Sequence, residues 1–182
     1  MVRAFYKLAF RIAGWKIRGD FSRETRKVVI AVAPHTSNWD FPVGLAARSI
    51  LRLRNVRFLG KSQLFRPPYG WVFRMLGGYP IDRNKREDMV NQAAALFNGH
   101  DELMLAIAPE GTRKKVERLK TGFYYIAKKA GVPIVPVGFD FARKEVVIGL
   151  PLLPSDNMEA DFERLHQFYR TITGKNPDLG FP

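Results

Sequence analysis

The chain has 182 residues, with 30 Lys and Arg against 17 Asp and Glu, a formal charge of +13. That length suits one compact domain, and 46% apolar residues with 13% aromatics can fill its core, which excludes general disorder. Zero cysteines exclude disulfides, thiolate metal sites and a cysteine nucleophile, and the three histidines are too few for a multi-histidine metal centre, so no cofactor or metal is expected.

The basic balance points to an anionic partner: nucleic acid, an anionic bilayer or a phosphorylated substrate. The stretch Val2–Ile17 places Phe5, Leu8, Ile12 and Trp15 at helical spacing, with Arg3, Lys7 and Arg11 on another arc. This is the pattern of an amphipathic helix with a cationic face. Such a helix is either an interfacial anchor or a first helix that packs on the core and shows water its charges. Trp15 and the eight Lys and Arg up to Lys27 favour the anchor.

Lys27–Ala33 is rich in β-branched residues and reads as a buried strand, with a helix over Phe41–Leu53 and a short strand at Val56–Leu59. Pro67-Pro68 and Gly77-Gly78 punctuate a loop-rich stretch around a short helix near Trp71–Leu76. Tyr79–Ile81 is extended, Arg86–Phe97 helical and Leu103–Ala108 a strand. Gly122–Lys129 is helical and stops at Gly131, with Pro133 just beyond. Strands at Ile134–Phe139 and Glu145–Gly149 precede a helix over Asp156–Ile172, whose Phe162, Leu165, Tyr169 and Ile172 form an apolar stripe.

Strands separated by helices predict an α/β fold, a mostly parallel mixed sheet flanked by helices, with the N-terminal amphipathic helix added. No run approaches the 18 to 20 apolar residues of a spanning helix, and no signal peptide is expected. One domain over 1–182 is therefore expected on the cytoplasmic side, peripheral to a membrane rather than across it.

In such sheets the loops after the carboxyl ends of strands build the site. The first long strand runs into Pro34-His35-Thr36-Ser37-Asn38-Trp39-Asp40. Asp40 lies about one turn beyond His35, so its carboxylate can take the Nδ1 proton and leave Nε2 as a general base. A helix cap at Ser37 or Asn38 with an incidental histidine is the structural alternative. The strand at Leu103–Ala108 empties into Pro109-Glu110-Gly111-Thr112-Arg113. There Gly111 permits a tight turn with exposed N–H groups, and Arg113 can clamp a phosphate. A polar loop with a solvated charge run is the alternative.

Taken together, His35-x-x-x-x-Asp40 and Pro109-Glu110-Gly111-Thr112-Arg113 resemble the first and third blocks of the glycerophospholipid acyltransferase family, which includes the lysophosphatidate acyltransferases. Gly78-Tyr79-Pro80-Ile81-Asp82-Arg83 resembles the second block and Ile134-Val135-Pro136-Val137 the fourth. Lys61 and Lys120 match further basic positions. The four blocks fall in the family's order across 28–139. Pro34, Ala108 and Gly138-Phe139 depart from common family residues, and the N-terminal membrane region is shorter than many members carry.

The resemblance implies a glycerol-3-phosphate-acyltransferase-like fold and transfer of an acyl group to a lysophospholipid hydroxyl, the donor being acyl-CoA or acyl carrier protein. It implies His35 as general base and Asp40 as its orienter. Arg83 and Arg113, with Lys61 and Lys120, would bind the acceptor phosphate, and the Glu110-Gly111-Thr112 turn is one candidate oxyanion hole. Glu110 would either hydrogen-bond the acceptor or hold Arg113. With no Gly-x-Ser-x-Gly elbow and no Cys, direct transfer suits the chain better than an acyl-enzyme.

A nucleic-acid-binding module is the rival reading, supported by aromatics among the basic residues of Arg66–Arg74 and Arg113–Tyr125. No recognisable RNA- or DNA-binding motif accompanies them, and a phospholipid ligand explains the charge without it.

Overall fold

The computed structural model describes residues 2–22, 25–81 and 86–180. Among these residues, seven strands form one sheet in the order β1-β7-β6-β2-β5-β3-β4. They are β1 (Lys16–Arg18), β2 (Lys27–Val32), β3 (Val56–Lys61), β4 (Gly78–Ile81), β5 (Leu103–Ile107), β6 (Ile134–Asp140) and β7 (Glu145–Ile148). Every pairing is parallel except β6 with β7, so the sheet is mostly parallel, as the alternation of strands and helices predicted.

The helices are α1 (Val2–Ile12), α2 (Asp40–Ile50), α3 (Gly70–Met75), α4 (Arg86–Asn98), α5 (Gly122–Ala130) and α6 (Met158–Tyr169). Because side chains alternate across a strand, the buried central strand β2 feeds two cores. Val29 and Ala31 join Phe97 of α4, Phe123 and Tyr124 of α5, and Leu165 and Tyr169 of α6. Val28 and Ile30 join Phe10 of α1 and Val43, Ala46 and Ala47 of α2. Helices therefore cover both faces.

The N-terminal helix is shorter than its periodicity suggested. It ends at Ile12, and Gly14 follows in the left-handed conformation (φ +76°). The Trp15 N–H donates to the Phe10 carbonyl (2.8 Å) and the Gly14 N–H to that of Arg11 (3.2 Å), the two bonds of a Schellman stop. The Trp15 ring turns back onto Phe10 and meets Phe141 edge-on (centroids 5.0 Å apart). Trp15 thus leaves the apolar helix face assigned to it, and the chain continues into β1, an edge strand the sequence reading lacked. Val2, Phe5, Leu8 and Ile12 remain exposed on α1.

Candidate active site

Strands β2, β5, β3 and β4 are parallel neighbours, so their carboxyl ends lie along one edge and gather the loops that follow them. The loop after β2 carries His35 and enters α2 at Asp40. The His35 Nδ1 lies 2.8 Å from the Asp40 Oδ2. Asp40 is almost fully buried (side chain 2% exposed), and the same oxygen accepts the Ser37 N–H at 3.0 Å. Its place in the first turn of α2 aims the carboxylate at the positive end of that helix. A carboxylate acceptor on Nδ1 fixes the imidazole tautomer and turns Nε2 toward the groove as the free ring nitrogen. The imidazole is 22% exposed and lines a groove.

Two tethers hold this loop. The His35 N–H donates to the Glu110 Oε2 at 2.8 Å, joining the loops after β2 and β5 across 75 residues of chain. Glu110 is 1% exposed, and its other oxygen, Oε1, has no hydrogen-bond partner among the described residues. Burial raises its pKa; the His35 N–H bond and the imidazole oppose that shift, and Asp40 adds to it. Behind the loop, Asn176 clasps Thr36: its N–H donates to the Thr36 Oγ1 (3.1 Å) and its side-chain amide to the Thr36 carbonyl (2.8 Å).

The groove has a volume of about 1740 Å³, and its lining falls into two groups. One lies between α2 and the sheet and is apolar: Ile30, Val32, Gly44, Ala47, Val137 and Phe139. The other runs past Lys120 toward α4 and α5, along Met89, Val90, Phe123 and Tyr125. His35 and Asp40 share the lining with Lys61, Gly111, Thr112, Arg113 and Lys120. Lys61, Arg113 and Lys120 are solvent-exposed, so their charges are available to an anion.

Gly111 has φ +65°, and a Cβ built on it would lie 2.7 Å from the Lys120 Nζ, so a side chain here would displace that ammonium. Its N–H donates to the Ala108 carbonyl (3.0 Å) and closes the turn. That removes it from the proposed oxyanion hole and leaves the Glu110 and Thr112 amides as the donors the turn can offer. The Thr112 Oγ1 accepts the Lys114 N–H.

Of the residues singled out in the sequence, His35, Asp40, Lys61, Gly111, Thr112, Arg113 and Lys120 converge on one groove. Glu110 is absent from its lining and bonds the His35 backbone, a role that neither sequence-level option contained. Arg83 lies outside the described residues. Asn176 was missed, because a contact spanning 140 residues leaves no local signal.

Curated relatives share the motif-bearing region. The 1-acyl-sn-glycerol-3-phosphate acyltransferase of Salmonella typhimurium is 35% identical over 113 residues, covering 59% of this chain and 45% of that protein. The yeast (Saccharomyces cerevisiae) protein of the same name is 29% identical over 154 residues, 74% of this chain and 46% of its own. The chain thus spans about half the length of these curated relatives. The crystal structure of the 1-acyl-sn-glycerophosphate acyltransferase PlsC from Thermotoga maritima superposes with a TM-score of 0.61 over 93% of this chain and 76% of that one, at 22% identity, so the two share a fold. The Acyltransferase family model matches residues 15–140, which contain the His35–Asp40 pair, the Glu110–Arg113 turn and all of the sheet but β7. The chain belongs to the Acyltransferase family.

Proposed function

We propose that the protein is an O-acyltransferase that moves an acyl group from a thioester, acyl-CoA or acyl carrier protein, to the free hydroxyl of a 1-acylglycerol-3-phosphate-like lysophospholipid. The observation that carries this reading is the buried Asp40 carboxylate on the His35 Nδ1, at a groove whose lining is apolar beneath α2 and cationic at Lys61, Arg113 and Lys120. The names of the relatives favour a lysophosphatidate acceptor.

The acceptor hydroxyl loses its proton to the His35 Nε2 as its oxygen attacks the thioester carbonyl carbon. Asp40 stabilises the imidazolium that forms. The Glu110 and Thr112 amides face the developing oxyanion, whose collapse breaks the C–S bond, and the imidazolium returns its proton to the departing sulfur. Arg113, Lys61, Lys120 and Arg83 hold the acceptor phosphate, so binding energy places the hydroxyl beside His35. The acyl chain lies along Ile30, Val32, Val137 and Phe139.

Among the described residues no helix is long and apolar enough to cross a membrane. The exposed Val2, Phe5, Leu8 and Ile12 of α1 suit peripheral attachment to the cytoplasmic face of an anionic bilayer. The test is thiol release from a panel of acyl-CoA and acyl-carrier-protein thioesters with several lyso-lipid acceptors, and mass spectrometry of the products. Acceptor-dependent release with formation of phosphatidate is expected. Release that ignores the acceptor would refute the reading.

A further inference from the structure

A second groove, of about 920 Å³, lies between α1, α2 and α3. Among the described residues, four arginines, Arg3, Arg48, Arg52 and Arg54, line it, and no carboxylate does. Two of them are committed to the fold. The Arg48 guanidinium donates to the carbonyls of Leu53, Arg54 and Leu76, and the Arg3 Nε to that of Ile50. Arg52 and Arg54 are exposed, and their side chains have no hydrogen bond or ion pair among the described residues. An uncompensated pair of guanidiniums lining one groove with Arg48, whose three nitrogens are already bonded, is a site for an anion.

The backbone singles out Arg52. Helices α1, α2 and α5 all end in the same stop, in which the residue after the cap, or the cap itself, turns left-handed and the next N–H reaches back five residues. Gly14 and Gly131 take that position after α1 and α5, where glycine carries no Cβ penalty. After α2 the position is Arg52, at φ +61°, with the Leu53 N–H donating to the Arg48 carbonyl at 3.0 Å. A side chain there is disfavoured by sterics. The arginine also complements the negative end of α2, so its presence alone does not identify a ligand; its place in an arginine groove does.

The rim identifies the ligand. Val2 of α1 (66% exposed) and Met75 of α3 (67%) line the same groove, with Phe5 and Trp71 exposed one turn away on their helices. Large apolar side chains flanking free guanidiniums fit a bilayer interface, where the former enter the acyl boundary and the latter meet headgroup phosphates. A soluble phosphate or an acidic protein has no use for such a rim. We propose that the groove between α1, α2 and α3 binds the phosphate headgroup of an anionic phospholipid of the bilayer through Arg52 and Arg54. This rests on the reading that the protein docks on a membrane, and it adds a defined headgroup site to an otherwise diffuse cationic surface.

The experiment compares wild type, R52G/R54Q and the control R164Q/R170Q in co-sedimentation with vesicles of phosphatidylglycerol and phosphatidylcholine. The control removes two exposed arginines, Arg164 of α6 and Arg170 at its C-cap, and α6 packs on the opposite face of the sheet. A basic residue near an anionic surface contributes about 1 kcal/mol, or about five-fold, so the groove variant should bind about thirty-fold more weakly. The control should change binding less than about two-fold, being beyond screening range. Single R52G should melt no lower than wild type, since glycine suits the left-handed position, and R52G/R54Q should keep its turnover of detergent-dispersed substrate. Equal losses in both double variants, or none in R52G/R54Q, would overturn the groove while leaving membrane docking intact. Absence of vesicle binding by wild type would overturn both.

Discussion

Replacing Glu110 by glutamine and by alanine separates a carboxylate that positions the catalytic loop from one that contacts substrate. Glu110 Oε2 is the acceptor for the His35 N–H, and the carboxyl is 1% exposed. Alanine leaves that N–H without its partner, at about 1–3 kcal/mol for a buried group, and opens a void beside it. A shift of about 1 Å in the imidazole would then cost about a hundred-fold in kcat. Glutamine keeps a carbonyl oxygen in place, so its kcat should stay within about ten-fold of wild type and the KM for the phosphorylated acceptor should not move.

The two variants also differ in their pH dependence. Burial raises the folded pKa of Glu110 above its ordinary value of 4.5. Between those two values the folded chain binds more protons than the unfolded one, so this group makes stability fall as pH rises through the window. Its stabilising contribution is complete below 4.5 and lost above the raised value. Urea unfolding from about pH 4 to about pH 8 should therefore show a downward slope in wild type that glutamine removes. If glutamine lost as much kcat as alanine and left that slope unchanged, Glu110 would be acting on substrate and the positioning argument would be refuted.

Three further outcomes are expected. Arg113→Lys and Arg83→Lys keep the charge but lose the planar fork, so kcat/KM for the phosphorylated acceptor should fall more than hydrolysis of the thioester by water; equal losses would assign these arginines to the donor or the fold. A Cβ at Gly44 would lie 3.3 Å from the Phe139 ring, so Gly44→Val should narrow the groove under α2 and shift acyl-chain preference toward shorter thioesters; an unchanged chain-length profile would place the acyl group elsewhere. Replacing Phe5 and Leu8, both exposed on α1, by serine should weaken binding to anionic vesicles at least ten-fold with the melting temperature retained, at about 1.5–3 kcal/mol per large apolar side chain fully buried. Unchanged binding would return α1 to the role of a plain surface helix.

Much of this architecture is legible locally. β-branched runs such as Lys27-Val28-Val29-Ile30 mark buried parallel strands because neither face of the sheet meets water, and the order of strands and helices then gives the sheet type. Strand β1 is not legible: Lys16-Ile17-Arg18 is three residues at an edge, with too little periodicity to read. Trp15 misled because its spacing continues the apolar stripe of α1, whereas Gly14 supplies the stop that wins. His35 and Asp40 are legible as a pair because they are five positions apart, one at the end of a strand and the other at the start of a helix. Glu110 and Asn176 act on that same loop from 75 and 140 residues away, and only the assembled sheet brings them there.

The central claim is that His35, oriented by Asp40, removes the acceptor proton. Its most direct measurement is acyl transfer by His35→Ala against wild type, with thiol release followed over time, the acylated product identified by mass spectrometry, and the variant shown to unfold like wild type. General-base catalysis contributes about a hundred- to ten-thousand-fold, so turnover should fall by at least that lower bound. Asp40→Asn should fall comparably, because an amide can hold the wrong imidazole tautomer. A folded His35→Ala protein that still forms acylated product at near wild-type turnover would contradict the account.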